Sequence, residues 1–475
     1  MTTAQSGLVE TIRARFGTRA ATTERTVLEP LETDWRGVYH GRAAALLTPG
    51  STAEASAMIE AARAAGVPLV PQGGNTSMVG GATPPADGRA MILSTRRLNR
   101  IRSIDAAAGL AVVEAGVILA DLHAAAAREN MRFPLTLGAR GSATIGGLVS
   151  TNAGGTQVLR WGTMRGLVAG LEAVLPDGQV HDGLSALKKD NRGYDLDQLL
   201  IAAEGTLGLV TAATLRLVPV VAERAVAWIG VASPHAALAL LRWMEPRAGA
   251  ALEGFELVPR ESLDAVIAHI PDSRAPLVEA HPWLVLAELV GAGAGETLAG
   301  LLGDAPGVAD ATIAASEAQA EAFWRLRDSI SEAERKTGPA MQHDISVPVE
   351  AMPDFMIDAA RALEAAFAGT RASGFGHLGD GNVHFHVRAP AGVEPDAWRR
   401  DVGGSASRMV HDLVVAAGGS ISAEHGIGQM KLHELERLSS PARMAALRAI
   451  KRAFDPQALF NPGKLVALAP SEPNS

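Results

Sequence analysis

At 475 residues the chain exceeds what one hydrophobic core normally supports, so two or three domains are expected. With 43 Lys and Arg against 51 Asp and Glu, a net charge of -8 leaves no global basic footprint for nucleic acid or anionic lipid, and a small anionic metabolite would have to be drawn in by a local cationic site. The absence of cysteine excludes disulfides, thiolate metal sites, iron–sulfur clusters and cysteine catalysis, so any metal must be held by nitrogen and oxygen.

Arg13, Arg15 and Arg19 precede no apolar run, and nothing later reaches the roughly 18 uninterrupted apolar residues of a membrane-spanning helix. The expectation is a soluble, cytoplasmic protein that keeps its N-terminus. Residues 7–16 read as a short amphipathic helix, 32–41 as a loop with Trp35, Tyr39 and His40, and 43–47 as a strand stopped by Thr48-Pro-Gly-Ser-Thr. Ala55, Met58, Ile59 and Ala62 keep helical spacing within 53–66, and 67–71 reads as a strand. The loop from Gln72 to Ala82 carries four glycines in nine residues, whose backbone N–H groups suit a nest for phosphate or pyrophosphate. No Gly-Lys-Ser/Thr follows and no helix opens on its last glycine, so it is neither a Walker loop nor a Rossmann turn. Taken alone it reads equally as a flexible surface loop.

Short strands at 91–94, 109–116 and 171–176 surround a second glycine-dense stretch, 137–155, and a third runs from 189–197 into 203–210. Two such stretches, well separated in sequence, imply one extended ligand touched at both ends. Beyond residue 219 the elements lengthen into a second domain, with strands at 226–231, 254–257 and 283–290 and helices at 236–244 and 260–270. Gly291-Ala-Gly-Ala-Gly imitates a dinucleotide motif, but Glu296 stands where a small residue is needed, which argues against a nicotinamide site. A charged helix over 317–337 places Arg327 and Ser331 at i and i+4, on one face, where a guanidinium can clamp a carboxylate. Arg325 and Arg327 beside Glu321 and Asp328 read more simply as solvating cations.

After a strand at 341–348, Gly374 to Val387 reads as a hairpin closed by Gly-Asp-Gly-Asn. A turn centred on Asp380-Gly381 sets Leu378 opposite Val383 and His377 opposite His384, two imidazoles about 5 Å apart, with His386 on the same face. Downstream, the run from Ser420 ends on Glu424 and His425. Neighbouring strand residues point to opposite faces, so a regular strand would bring only one of these two to a given ion. Imidazoles and a carboxylate suit zinc or manganese, and three protein ligands leave the open positions of a catalytic site. Helices over 395–417 and 441–454 and the run Leu459-Phe-Asn-Pro-Gly-Lys464 follow, and 466–475 reads as frayed.

Pro71 to Ala82, Gly138 to Gly155, Glu204 to Val210 and Phe460 to Lys464 resemble the flavin-binding segments of the vanillyl-alcohol oxidase / p-cresol methylhydroxylase fold, in its D-2-hydroxy-acid dehydrogenase branch. The resemblance covers most of the chain. It implies an α+β fold, a two-part PCMH-type FAD-binding domain plus an antiparallel-sheet substrate (cap) domain with flanking helices. The implied division is an N-terminal helix and loop (1–40), the FAD-binding domain (41–220), a substrate- and metal-binding domain (221–430) and a C-terminal helical segment (431–475) returning to the FAD domain. By position, the FAD contacts are Gly73, Gly74, Asn75, Thr76, Ser77, Gly80, Gly138, Ser142, Thr144, Gly147, Asn152, Gly155, Glu204, Val210 and Asn461. Flavinylated members have histidine where Asn75 stands, so FAD is expected without a covalent bond.

The same resemblance implies His377, His384 and Glu424 as ligands of a divalent metal, zinc or alternatively manganese, and His425 as the base. Arg327 and Ser331 match the substrate-carboxylate residues, and Gln342 and His386 stand where relatives acting on D-2-hydroxyglutarate have lysine and asparagine. The implied activity is oxidation of a D-2-hydroxy acid, D-2-hydroxyglutarate, D-lactate or similar, to the 2-oxo acid. The implied partners are that small substrate and an electron acceptor (electron-transfer flavoprotein, quinone or cytochrome), with a homodimer left open. The competing readings are a metal-independent flavin oxidase of an alcohol or sugar lactone and a non-catalytic flavoprotein subunit.

Overall fold

The computed structural model describes residues 1–468; residues 469–475, most of the tail read as frayed, lie outside the described residues. Val466, at the start of that tail, is buried. The chain divides into two compact units, one made of residues 1–154, 163–220 and 424–475 and the other of 155–162 and 221–423.

The first unit holds two principal sheets. In the four-stranded one, Leu46–Leu47 and Leu69–Gln72 run parallel to Met91–Ser94 on either side of it, and Ala21–Thr22 closes the outer edge antiparallel. Every residue of Met91-Ile-Leu-Ser is buried, as expected of a parallel strand covered on both faces. Helix Thr52–Ala64 starts at Ser51, whose hydroxyl accepts the Glu54 N–H at 3.1 Å, and buries Ala55, Met58, Ile59 and Ala62 against this sheet. The second sheet is antiparallel, in the order 101–105, 110–114, 209–216, 168–174, 180–182.

The second unit is one seven-stranded antiparallel sheet, ordered 308–313, 224–231, 283–290, 252–259, 371–377, 382–388, 340–346. Period-two alternation sends Phe255, Leu257, Val285, Ile345, Val383 and Phe385 to one face, under helices Pro234–Ala248, Met352–Ala366 and Gly404–Ala416. Trp228, Val258, Leu284, Leu286 and Phe375 go to the other, under helices Arg260–His269, Glu317–Asp328 and Ile330–Lys336.

Two expected helices are broken. The 317–337 helix divides at Ser329 into Glu317–Asp328 and Ile330–Lys336. The 395–417 helix contains a π turn over Arg399–Gly403, where a Cβ on Gly403 would lie only 2.8 Å from the Met341 sulfur, so glycine lets the turn close on the strand.

Candidate active site

The hairpin over 371–388 forms, but one residue away from the expected register. Its strands pair His377 with Asn382 and Phe375 with His384, not His377 with His384, and Leu378 lies in a four-residue loop. The reason is the turn: the His377 carbonyl accepts the Gly381 N–H at 3.0 Å, Gly381 sits at φ +80°, and the Asn382 N–H donates to the Asp380 carboxylate at 2.9 Å. Moving the turn centre by one residue preserves parity, so His377, His384 and His386 still share a face. The His377 and His384 rings are 5.7 Å apart. The ring of Phe375 stands between His384, at 5.0 Å, and His386, at 5.6 Å. The strand Ala340–Ser346 continues the rows, placing Asp344 opposite His384 and Gln342 opposite His386.

Two glutamates absent from the sequence reading anchor these imidazoles. Glu256, in the neighbouring strand directly opposite His377, is 1% exposed. One of its oxygens, Oε1, lies 2.6 Å from His377 Nδ1, and the other, Oε2, accepts from Arg327 Nε at 2.7 Å. Burial pushes the Glu256 carboxyl up, but Arg327 and His377 outweigh it and hold it down at about 2. Glu334 is bonded to His386 Nδ1, accepts the Ser262 hydroxyl at 2.5 Å, and lies 3.1 Å from the Arg388 guanidinium. Burial raises the Glu334 carboxyl, and His386 and Arg388 bring it below its ordinary range. Both glutamates sit in apolar surroundings, where an unpaired carboxylate would be strongly disfavoured. An acidic residue flanked by apolar neighbours within a strand, as in Gly254-Phe-Glu-Leu-Val, was the signal that could have found the first.

Arg327 is buried on this face, its guanidinium 5.4 Å from the Phe375 ring and its Nη2 3.3 Å from His377 Nε2. Ser331 does not join it: the break at Ser329 puts Ser331 in the next helix, where it is exposed. The expected shared helical face is therefore absent. With His377 Nδ1–H donated to Glu256, Nε2 carries the ring's lone pair, which is the arrangement that fixes a metal-ligating histidine.

In the first unit, the two glycine-dense stretches lie against each other. A Cβ on Gly73 would sit 2.2 Å from the Thr144 hydroxyl and one on Gly74 2.0 Å from the Ser142 carbonyl, so only glycine permits the approach. Buried oxygens of Gln72, Thr95, Thr144 and Asn461 have no hydrogen-bond partner among the described residues. A polar ligand over this loop would satisfy them. Asn75, at φ +55°, donates from its amide to the Thr33 carbonyl at 2.9 Å, and a cleft of about 540 Å³ opens beside it, lined by Val27, Trp35, Gly74 and Arg96 among others. The Ser77 hydroxyl accepts the Gly81 N–H at 3.0 Å. Thr76 is half-buried in the loop that Gly80 closes at φ +67°. A Cβ on Gly147, in helix Ile145–Thr151, would lie 3.4 Å from the Thr144 hydroxyl, and Asn152 ends that helix in the left-handed conformation. Gly138 and Ser142 are exposed, and Gly155 belongs to the second unit.

Glu204 and Asn461 are occupied with the protein's own backbone. The Glu204 carboxylate accepts the Ile427 and Gly428 N–H groups, both at 2.7 Å, and the Asn461 amide donates to the carbonyls of Gly81 and Glu204 at 2.9 and 2.8 Å. Burial raises the Glu204 carboxyl against those amides. Val210 is buried in the strand opposite Ala173. Glu424 and His425, both half-buried, lie in a run of bends rather than in a strand, so the expected alternation of their side chains does not apply. The last strand-like pairing before them is the bridge from Ser420 to Ser346, and the division between the units falls at Ala423-Glu424.

Residues 43–183 match the "FAD binding domain" family model and 221–465 match "FAD linked oxidases, C-terminal domain". The mitochondrial D-2-hydroxyglutarate dehydrogenase of Arabidopsis thaliana is 36% identical over 457 residues, covering 95% of this chain and 80% of that protein. The D-2-hydroxyglutarate dehydrogenase of Xanthomonas citri pv. viticola is 36% identical over 452 residues, 93% of either chain. Among solved structures, p-cresol methylhydroxylase with substrate bound superposes with a TM-score of 0.72 at 16% identity, over 98% of this chain and 97% of that one. That likeness establishes the fold: mixed helix and antiparallel sheet of the PCMH type. Among the described residues no helix is long and apolar enough to cross a membrane.

Proposed function

We propose a mechanism on one premise: the chain belongs to the FAD-dependent D-2-hydroxy-acid dehydrogenase family, so it is a FAD-dependent enzyme that oxidises a D-2-hydroxy acid. The observation that carries the reading further is the face around Phe375, where the guanidinium of Arg327, from the helix above, and three imidazoles of the sheet, two of them buried and His384 half-buried, gather. Arg327 binds and orients the substrate carboxylate there. The 73–80 and 138–155 stretches hold FAD without a covalent bond, and the cofactor, when bound, supplies the acceptor for the hydride from the substrate's α-carbon. His377, His384 and Glu424 hold a divalent cation, zinc or manganese, whose charge, when it is bound, favours ionisation of the α-hydroxyl. His425 takes the hydroxyl proton on a ring nitrogen. An electron-transfer flavoprotein, quinone or cytochrome takes the electrons onward.

The relatives are named for a dicarboxylate, D-2-hydroxyglutarate. One feature favours a second reading, a monocarboxylate such as D-lactate: the residue paired across the sheet with His386 is the neutral amide Gln342, and the His386 ring is already bonded to Glu334. Anaerobic flavin bleaching against D- and L-2-hydroxy acids, with and without added zinc, tests both. D-acids should bleach the flavin and L-acids should not, and no bleaching by any hydroxy acid would refute the dehydrogenase reading. Bleaching by D-lactate at least tenfold more efficient than by D-2-hydroxyglutarate supports the monocarboxylate, and the reverse order the dicarboxylate.

A further inference from the structure

We propose that Glu256 is a positioning residue that sets both the imidazole offered to the metal and the guanidinium offered to the substrate; this rests on the roles of His377 and Arg327 given above. Glu256 lies in a strand whose eight residues are all buried, and it faces His377 across the sheet. A carboxylate held there needs compensation for its desolvation, and this one divides its two oxygens between two partners of different chemistry. Oε1, 2.6 Å from Nδ1, accepts that ring N–H, which fixes the tautomer and presents Nε2 as the ligand atom. Oε2, 2.7 Å from Arg327 Nε, fixes the plane of the guanidinium, which the Phe375 ring supports from 5.4 Å.

Holding the two together also settles a competition between them. Arg327 Nη2 lies 3.3 Å from His377 Nε2, close enough to donate to the lone pair a cation would need. With its Nε anchored on Glu256 the guanidinium cannot turn fully toward that nitrogen. Without the carboxylate, nothing fixes the ring's tautomer, and Arg327 Nη2, already 3.3 Å from Nε2, is freer to donate to the ligand atom. Glu256 therefore couples metal affinity to substrate affinity, although it touches neither.

The test uses the FAD-loaded enzyme stripped of metal with a chelator. Zinc affinity is measured by competition with a chromophoric chelator, and the substrate dependence of anaerobic flavin bleaching separates substrate affinity from the rate at saturation. Glu256→Gln keeps an acceptor for His377 but cannot accept from Arg327 through its amide nitrogen. It should weaken zinc about 10-fold, the low end for a change behind a ligand, because a neutral amide replaces the charged acceptor of the ring N–H and Arg327, released from Oε2, competes for Nε2. It should also raise the half-saturating substrate concentration, with flavin content unchanged. Glu256→Asp keeps the buried charge, and with it the fold, but withdraws the carboxylate by one methylene; it should fall between wild type and the glutamine variant. A purely structural role would lower thermal stability and flavin content while leaving zinc affinity alone. Zinc binding lost in His377→Ala but equal to wild type in both Glu256 variants would overturn the positioning role and leave the proposed function standing. Zinc binding identical in wild type and His377→Ala would overturn the metal reading, and the positioning role with it.

Discussion

Gly381→Ala should nearly abolish flavin reduction by displacing the imidazoles without touching them. Gly381 sits at φ +80°, a region that costs an L-residue about 1–2 kcal/mol, and an alanine Cβ there would lie 2.1 Å from the Val347 carbonyl oxygen. Cβ contacts under 3.0 Å are not tolerated, so turn and strand must separate by at least 0.9 Å. The turn cannot give locally. The Val347 N–H donates to the Gly381 carbonyl at 3.0 Å, and the Gly381 N–H donates to the His377 carbonyl at 3.0 Å, so the displacement reaches His377 directly. A misplacement of roughly 1 Å costs about 10²-fold in rate. Single-turnover anaerobic bleaching measures this, alongside circular dichroism to establish folding. Gly392→Ala is the control, because Gly392 has nearly the same φ, +79°, and nothing within 4 Å of an added Cβ. It should bleach at the wild-type rate. A folded Gly381→Ala enzyme within threefold of wild type would refute the reasoning.

His425→Ala should retain FAD and lose about 10²-fold or more in turnover, measured as flavin reduction by substrate; a rate near wild type removes it as the base. Acid precipitation should release the flavin into the supernatant, and flavin remaining with the pellet would contradict non-covalent binding. Burial holds the Lys464 ammonium down to about 8 despite Glu204 nearby. Between about pH 8 and the ordinary lysine value, the unfolded chain therefore binds more protons than the folded one, and stability rises with pH across that window. The gain approaches ~3 kcal/mol over the whole window, of which about 2 kcal/mol falls between pH 7.5 and 9.5. Urea unfolding at pH 7.5 and 9.5 should register it in wild type and not in Lys464→Met, and an equal pH dependence in both would refute the assignment.

The histidine face was legible because parity tolerates error. Moving the turn by one residue changed every cross-strand pair yet left His377, His384 and His386 together. The glycine stretches were legible for a related reason: Gly73 and Gly74 are required by close backbone approach, which sequence composition records. The pairing of Arg327 with Ser331 was misread because spacing assumes an unbroken helix, and the break at Ser329 carries no proline or glycine to announce it. Glu256 and Glu334 escaped notice because each is one glutamate without a motif, and their partners come from 71 or more and 52 residues away in sequence. Helix Met352–Ala366 was overlooked although Met352, Phe355, Met356, Ala359 and Leu363 keep helical spacing.

Residues 155–162 belong to the second unit although they are embedded in the sequence of the first. Arg160 reaches Glu253, 2% exposed, at 2.8 Å, Trp161 donates to the same carboxylate at 3.3 Å, and Leu159 packs where a Cβ on Gly379 would come within 2.9 Å, beside the hairpin turn. A fragment of residues 221–423 would keep the buried Glu253 and lose this guanidinium, a change worth about 3–5 kcal/mol where a buried ion pair is broken. Recombination between relatives at residue 220 would mate one parent's arginine loop with the other's sheet. Only exchanges that carry the eight-residue loop together with the sheet keep the hairpin's support, so the heritable module is discontinuous in the gene.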